Sequence, residues 1–300
     1  MTIDPIVDTD GVTTTTIGIY SPGAMGSALG RAWRDEGCDV VTTVAGRSER
    51  TRSLAENLTT LPDLEAVVAA ADLVVSIGPP AEAVAMSREI AAACVATGSQ
   101  PRVADLNAIS PATVARIAAV LVPAGCELID GSISGGPPRP GSTTHLYLSG
   151  PSADTVVRLR GVGLASKKVG DRIGTASAVK MSTAAVYKGF TALIVQALRT
   201  AYANDVLDIV LADLSEEFGQ LIEDAATRIA MAASKASRYV GEMHQIADTQ
   251  EAAGARPELY DAMAVVYESL AATDLATLTP EAAADSADLP AALDRLVPAR

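Results

Sequence analysis

From Thr14 to about Gly170, short runs rich in β-branched residues alternate with longer segments whose apolar positions recur at helical spacing. This rhythm predicts a mostly parallel, doubly wound sheet covered by helices on both faces, an α/β class of fold. Strands are expected over residues 14–20, 39–44, 73–77, 102–106, 127–130 and 145–148. Beyond Gly174 the strand pattern stops and Ala-rich helical sequence takes over, at 175–204, around 215–241, at 242–253 and at 258–271. The chain therefore divides into an α/β domain over 14–172 and an all-α C-terminal domain over 173–278. Residues 1–13 and 279–300 carry little core-forming pattern, and Pro280, Pro290 and Pro298 lie among scattered acids, so both ends are expected to be loosely ordered. The 175–204 helix is more apolar than the surface helix of a monomer should be, which points to packing against a second subunit.

The first expected strand runs into Ser21-Pro22-Gly23-Ala24-Met25-Gly26, a glycine turn that opens a helix. Glycines at 23 and 26 let backbone approach a phosphate with no Cβ in the way. The helix start adds unpaired N–H groups and a positive dipole end, the means by which a Rossmann domain holds a dinucleotide pyrophosphate. Ser21 stands where the first glycine of G-x-G-x-x-G usually sits; an ordinary strand–turn–helix joint is the alternative. The second expected strand ends in Val44-Ala45-Gly46-Arg47-Ser48-Glu49-Arg50, without the acid that takes the ribose hydroxyls of NAD. Arg47 and Arg50, with the Ser48 hydroxyl, suit a 2′-phosphate, so NADPH is expected in preference to NAD. Elsewhere such arginines would be solvated loop charges.

The formal charge of −13 leaves no basic surface for nucleic acid. Three widely spaced cysteines without C-x-x-C geometry fit free thiols in a reducing cytoplasm better than disulfides or a metal site. With 49% hydrophobic residues the chain has ample core material, yet no apolar run approaches ~20 residues, so a soluble protein without a membrane span is expected.

Two further segments carry chemistry. Asp130-Gly131-Ser132-Ile133-Ser134-Gly135-Gly136-Pro137-Pro138 offers hydroxyls and bare N–H groups to a carboxylate, or is a plain Gly/Pro turn. Gly174 starts the long helix that carries Lys180 among small and apolar neighbours. A lysine there can exchange a proton with an alkoxide formed by hydride transfer; the alternative is a side chain with its head in water.

In type, order and spacing these three motifs resemble the β-hydroxyacid dehydrogenases, the superfamily of 3-hydroxyisobutyrate and 6-phosphogluconate dehydrogenases, whose neighbours include imine reductases. The segments from Ala178-Val179-Lys180-Met181 to Lys188-Gly189, and Gly241-Glu242-Met243-His244-Gln245-Ile246-Ala247, resemble the branch with a distinctive helical C-terminal domain. The resemblance implies a Rossmann domain, a homodimer with interlocked helical domains, and Lys180 as general acid/base. It also implies that Ser132, Ser134, Gly135 and Gly136 line the substrate and that Asn107 lies near the nicotinamide. The cofactor set is then Ser21, Pro22, Gly23, Ala24, Met25, Gly26, Arg47, Ser48, Arg50, Pro79 and Asn107, with no metal. Relatives usually carry Asn three or four residues after the lysine, where this chain has Thr183 and Ala184. Thr183 and Tyr187 share the helical face of Lys180, and Lys188 lies about 80° round. These three join the expected substrate set. Glu242 stands where related dehydrogenases often place a lysine, and His244 points to nearly the opposite face.

The resulting expectation is an NADPH-preferring oxidoreductase that moves hydride to or from a carbonyl or hydroxyl carbon of a small carboxylate-bearing substrate, in a cleft between the domains. The alternatives are an NADPH-dependent imine reductase and a non-catalytic nucleotide-binding dimer.

Overall fold

The computed structural model describes residues 14–285 and 288–296. Among them, eight strands form one sheet: β1 (Thr16–Tyr20), β2 (Asp39–Thr43), β3 (Thr59–Leu61), β4 (Leu73–Ser76), β5 (Arg102–Asp105), β6 (Glu127–Ser134), β7 (Thr144–Ser149) and β8 (Leu164–Gly170). Their order is β3-β2-β1-β4-β5-β6-β7-β8, and every pairing is parallel except the antiparallel β6/β7. Helices α1 (Ala24–Arg34), α2 (Glu49–Leu54), α3 (Leu64–Ala70), α4 (Ala83–Thr97), α5 (Pro111–Leu121) and α6 (Asp154–Val157) supply the crossovers and cover the sheet.

Period two explains the central strands. Ile17, Ile19, Leu73, Val75, Ala104 and Ile129 face one buried cluster that includes Leu29 and Trp33, while Val74, Val103 and Leu128 face another that includes Ile90 and Ile117. A parallel strand covered on both faces reads as a continuous apolar run, which is why these strands were legible. The unpredicted β3 and β8 are edge strands, exposed or half-buried, built from Thr, Ser and Lys. The sixth strand runs to Ser134 rather than 130 because Gly131 to Ser134 pair with Leu148 to His145 of β7.

The chain divides into two compact units, the first ending at Lys180 and the second starting at Met181. Helix α7 (Thr175–Ala203) begins in the first unit, so the boundary falls eight residues later than the pattern suggested. The second unit continues through α8 (Leu207–Phe218), α9 (Gln220–Glu223), α10 (Ala225–Ala233), α11 (Ala236–Ala252), α12 (Glu258–Ala271), α13 (Pro280–Asp285) and α14 (Leu289–Asp294). The stretch expected around 215–241 is broken at Gly219, whose φ is +38°, and again near Asp224 and Ser234. The loosely ordered end expected from 279 is corrected for its described residues: α13 and α14 pack on α10 and bury Ala283, Ala292 and Leu293. Pro280 and Pro290 stand in the first turns of these helices, where a missing N–H costs nothing. Residues 1–13 and Pro298 lie outside the described residues.

Candidate active site

At the glycine turn Ser21 adopts φ +70°, the left-handed conformation that glycine provides at that point of the usual motif. The Gly23 N–H donates to the Ser21 carbonyl at 2.8 Å, and the Ser27 hydroxyl ties back to the Pro22 carbonyl at 2.6 Å. A Cβ on Gly26 would lie 2.9 Å from the Ser21 carbonyl oxygen, so only glycine lets α1 approach its own turn this closely. Among the described residues no side chain caps α1, and its first turn, starting Ala24 and Met25, holds no acid. The first N–H groups of this helix and its positive dipole end are thus left without a side-chain cap among the described residues.

Beside the turn lies a cavity of about 430 Å³ lined by Tyr20, Thr43, Gly46, Arg47, Asp63, Met86 and Glu89, among others. The Arg47 guanidinium carbon sits 5.2 Å from the centre of the Tyr20 ring, an arrangement that holds the side chain at the mouth of the cavity. Tyr20 donates its hydroxyl to Glu89, and burial pushes its pKa up to about 12, so it stays a neutral donor. Ser48 is exposed and caps α2, accepting from the Thr51 N–H at 3.3 Å; Arg50 is exposed in the first turn of the same helix. Pro79 is exposed ahead of α4.

Asn107 is 1% exposed, and its amide is fully engaged within the fold. Its Oδ1 accepts from the Gly78 N–H at 2.5 Å, while Nδ2 donates to Asp105 at 2.8 Å and to Ser76 at 3.3 Å. It braces the ends of β4 and β5. Its amide thereby supports the Gly78-Pro79 loop. Burial is the main reason the Asp105 carboxyl is pushed up to about 7; its bonds to Asn107 oppose the rise.

Asp130 lies next to Asp105 in the β5/β6 register and is fully buried. Its Oδ2 accepts from the N–H groups of Gly174, Ala176 and Ser177 at 3.0, 3.0 and 3.1 Å and from the Ser149 hydroxyl at 2.8 Å. Oδ1 accepts from the Ser177 hydroxyl at 2.6 Å. A carboxylate at a helix start satisfies orphan donors and meets the positive dipole end, so Asp130 fastens α7 to the sheet. This attachment places the first turns of α7 in the first unit. Ser132 reinforces it, being 1% exposed and donating to the Ala176 carbonyl at 2.9 Å.

Lys180 is half-buried, and its Nζ donates to the Ile133 carbonyl at 2.6 Å. The next residues form the open loop: Ser134 is half-buried, Gly135 (φ +112°) and Gly136 are exposed, and Thr144 secures the turn through the Gly136 carbonyl at 2.7 Å. An ammonium and a rim of small polar groups thus meet at the end of β6.

In the second unit, Thr183 and Tyr187 are exposed on α7. Lys188 forms an ion pair with Glu242 and lies 4.3 Å from the centre of the Tyr239 ring. Glu242 is 2% exposed and also accepts from Arg238 Nε at 3.0 Å. His244 is exposed and pairs with Asp261 at 3.0 Å, away from Glu242. Among the described residues no group of acids, histidines or cysteines could hold a metal, and no helix is long and apolar enough to cross a membrane.

Sequence reasoning did not single out Asp105 as a site residue or Asp130 as the anchor of α7. The available signal was an acid ending each of two otherwise apolar strands, where a side chain must be paired or functional.

Residues 16–162 match the family described as the NAD binding domain of 6-phosphogluconate dehydrogenase, and residues 201–270 match a domain of unknown function, DUF1932. An uncharacterised 28.5 kDa protein of Methanothermus fervidus is 26% identical over 212 residues, covering 69% of this chain and 79% of that one. Mycobacterium tuberculosis 3-hydroxyisobutyrate dehydrogenase, solved with L-serine, superimposes with a TM-score of 0.67 at 20% identity, covering 91% of this chain and 99% of that one. A reductive aminase from Aspergillus terreus, solved with NADPH and ethyl levulinate, gives 0.53 at 18% identity over 94% and 99% of the two chains. The glycine turn and strands β1 to β7 lie within the stretch matched to the NAD binding domain of 6-phosphogluconate dehydrogenase, helices α8 to α11 and most of α12 lie within the stretch matched to DUF1932, and the chain as a whole is similar in fold to these dehydrogenases and reductases.

Proposed function

We propose that this protein is an NADPH-preferring oxidoreductase of the β-hydroxyacid dehydrogenase type, acting on a small carboxylate-bearing substrate, with Lys180 as its general acid/base. The observation that carries this reading is the Lys180 ammonium, fixed on the Ile133 carbonyl at 2.6 Å beside the Ser134, Gly135 and Gly136 loop. When bound, the nicotinamide supplies or accepts the hydride. In the reducing direction charge develops on the carbonyl oxygen, and Lys180 gives it a proton, leaving a neutral amine and an alcohol; the reverse direction runs the same exchange backwards. The Ile133 carbonyl orients the amine through this exchange, and Ser134 with the Gly135 and Gly136 N–H groups takes the substrate carboxylate. Ser21 to Gly26 hold the pyrophosphate. Arg47, steadied on Tyr20, with Ser48 and Arg50 on the neighbouring turn, meets the 2′-phosphate. Val186 and Leu193 of α7 are 69 and 58% exposed, which supports a homodimer formed on this helix. Three free cysteines suit a cytoplasmic location.

Calorimetric titration with NADPH and NADH, on wild type and Arg47→Ala, tests the cofactor half. NADPH is expected to bind more tightly, and Arg47→Ala to lose at least tenfold for NADPH with NADH little changed. Equal losses would overturn the phosphate assignment. NADPH oxidation is then followed with keto acids, aldehydes and cyclic imines. Turnover of a keto acid that Lys180→Met reduces by orders of magnitude at unchanged NADPH affinity supports the reading. Turnover of imines alone would establish the imine-reductase alternative, and NADPH binding with no turnover across the panel would mark a non-catalytic dimer.

A further inference from the structure

The second unit carries a cavity of its own, about 490 Å³, between α7, α10 and α11. Most of its wall belongs to the segment matched as a domain of unknown function. The wall combines aromatic and apolar surface, from Tyr187, Tyr239 and Met231, with the cationic side chains of Arg228 and Lys188.

Arg228 is the unexplained group. Its Nε is buried with no hydrogen-bond partner among the described residues, and no ion pair engages its guanidinium there. Its side chain is positioned nonetheless, with the guanidinium carbon 5.9 Å from the centre of the Phe190 ring. A buried donor with no acceptor is destabilising, a penalty that a bound acceptor removes. The charges around it favour an anion. Lys188 and Arg238 both pair with Glu242, and Arg228 stands near them with the exposed Asp224 at the rim. Cations thus gather at this wall in a chain of net charge −13.

We infer that this cavity is a binding site for a small organic carboxylate with an apolar body, recognised by Arg228 with Lys188 as the second cation. The planar guanidinium matches the two oxygens of a carboxylate, and the aromatic and methionine wall takes the body. Asp224 at the rim disfavours a phosphate dianion. The inference concerns binding in the helical unit and stands whether or not Lys180 is catalytic.

The test is calorimetry on the full-length protein with 3-phenylpropionate, its uncharged amide 3-phenylpropionamide, and inorganic phosphate, at low salt. The carboxylate is expected to bind at least tenfold more tightly than the amide, the scale of one charge-assisted hydrogen bond, and more tightly than phosphate. In Arg228→Gln, checked for native circular dichroism, the advantage over the amide should vanish. Equal binding of acid and amide to the wild type needs no variant to read and would overturn the proposal. So would an undiminished preference in folded Arg228→Gln, tighter binding of phosphate, or no saturable binding of the carboxylate.

Discussion

Removing the Asp130 carboxylate should release the start of α7 from the sheet, and the cost can be worked from its partners. In Asp130→Ala the Ala176 N–H keeps the Ser149 hydroxyl at 3.0 Å, but the fixed N–H groups of Gly174 and Ser177 lose their acceptor, as do the rotatable hydroxyls of Ser149 and Ser177. Counting only the two fixed N–H donors at about 1–3 kcal/mol each, plus up to about 2 kcal/mol for the lost dipole interaction, the cost is about 2–8 kcal/mol. Asp130→Asn keeps an acceptor in the Oδ2 position but loses the charge and puts an NH2 donor where Oδ1 accepts from the Ser177 hydroxyl, so about 1–2 kcal/mol is expected. The sole tryptophan, Trp33, is fully buried in α1, so urea unfolding followed by its fluorescence reports on the first unit. With a urea slope of about 2 kcal/mol per molar, the Ala variant should unfold ~1–4 M earlier and the Asn variant ~0.5–1 M earlier. Hydrogen exchange over residues 172–182 should show those amides unprotected in the Ala variant. A midpoint within 0.3 M (about 0.6 kcal/mol) of wild type for Asp130→Ala would refute the claim that this carboxylate fastens the helix.

Asp105 gives a pH signature. Its folded pKa, about 7, lies above the ordinary 3.8, so its contribution is complete below about pH 4 and is lost as the pH rises through 7. Whatever Asp105→Asn costs outright, the stability of wild type relative to this variant should fall by about 4 kcal/mol between pH 4 and pH 8; a difference that does not change with pH would sink the assignment. The thiols divide by exposure. Cys94 and Cys126 are buried with their sulfurs 3.2 Å apart, whereas Cys38 is half-buried. Ellman's reagent should therefore titrate one thiol in the native protein, slowly because burial pushes the Cys38 thiol up, and three after unfolding. Fast reaction of all three in the native state would contradict the packing.

The central strands and the long helix were legible because burial on two faces, or along one long apolar stripe, writes itself into residue type. Edge strands β3 and β8 bury too little for that. The short C-terminal helices begin with prolines that read as breaks until their place in a first turn is known. The glycine turn, Arg47 and Lys180 could be picked out as candidates because their motifs are local. The hydrogen bonds of Asn107 and Ser132 could not be read that way, since they join partners 44 residues apart, as with Ser132 and Ala176, or 31, as with Asn107 and Ser76. Local spacing cannot tell a hydroxyl that faces a ligand from one that ties a strand to a helix.

The buried Glu242, gripped by Lys188 from α7 and Arg238 from its own helix, also limits what position 242 can hold. A lysine introduced at 242 while both cations remain would place three positive charges in one dry spot. One carboxylate thus decides how many cations this helix crossing tolerates.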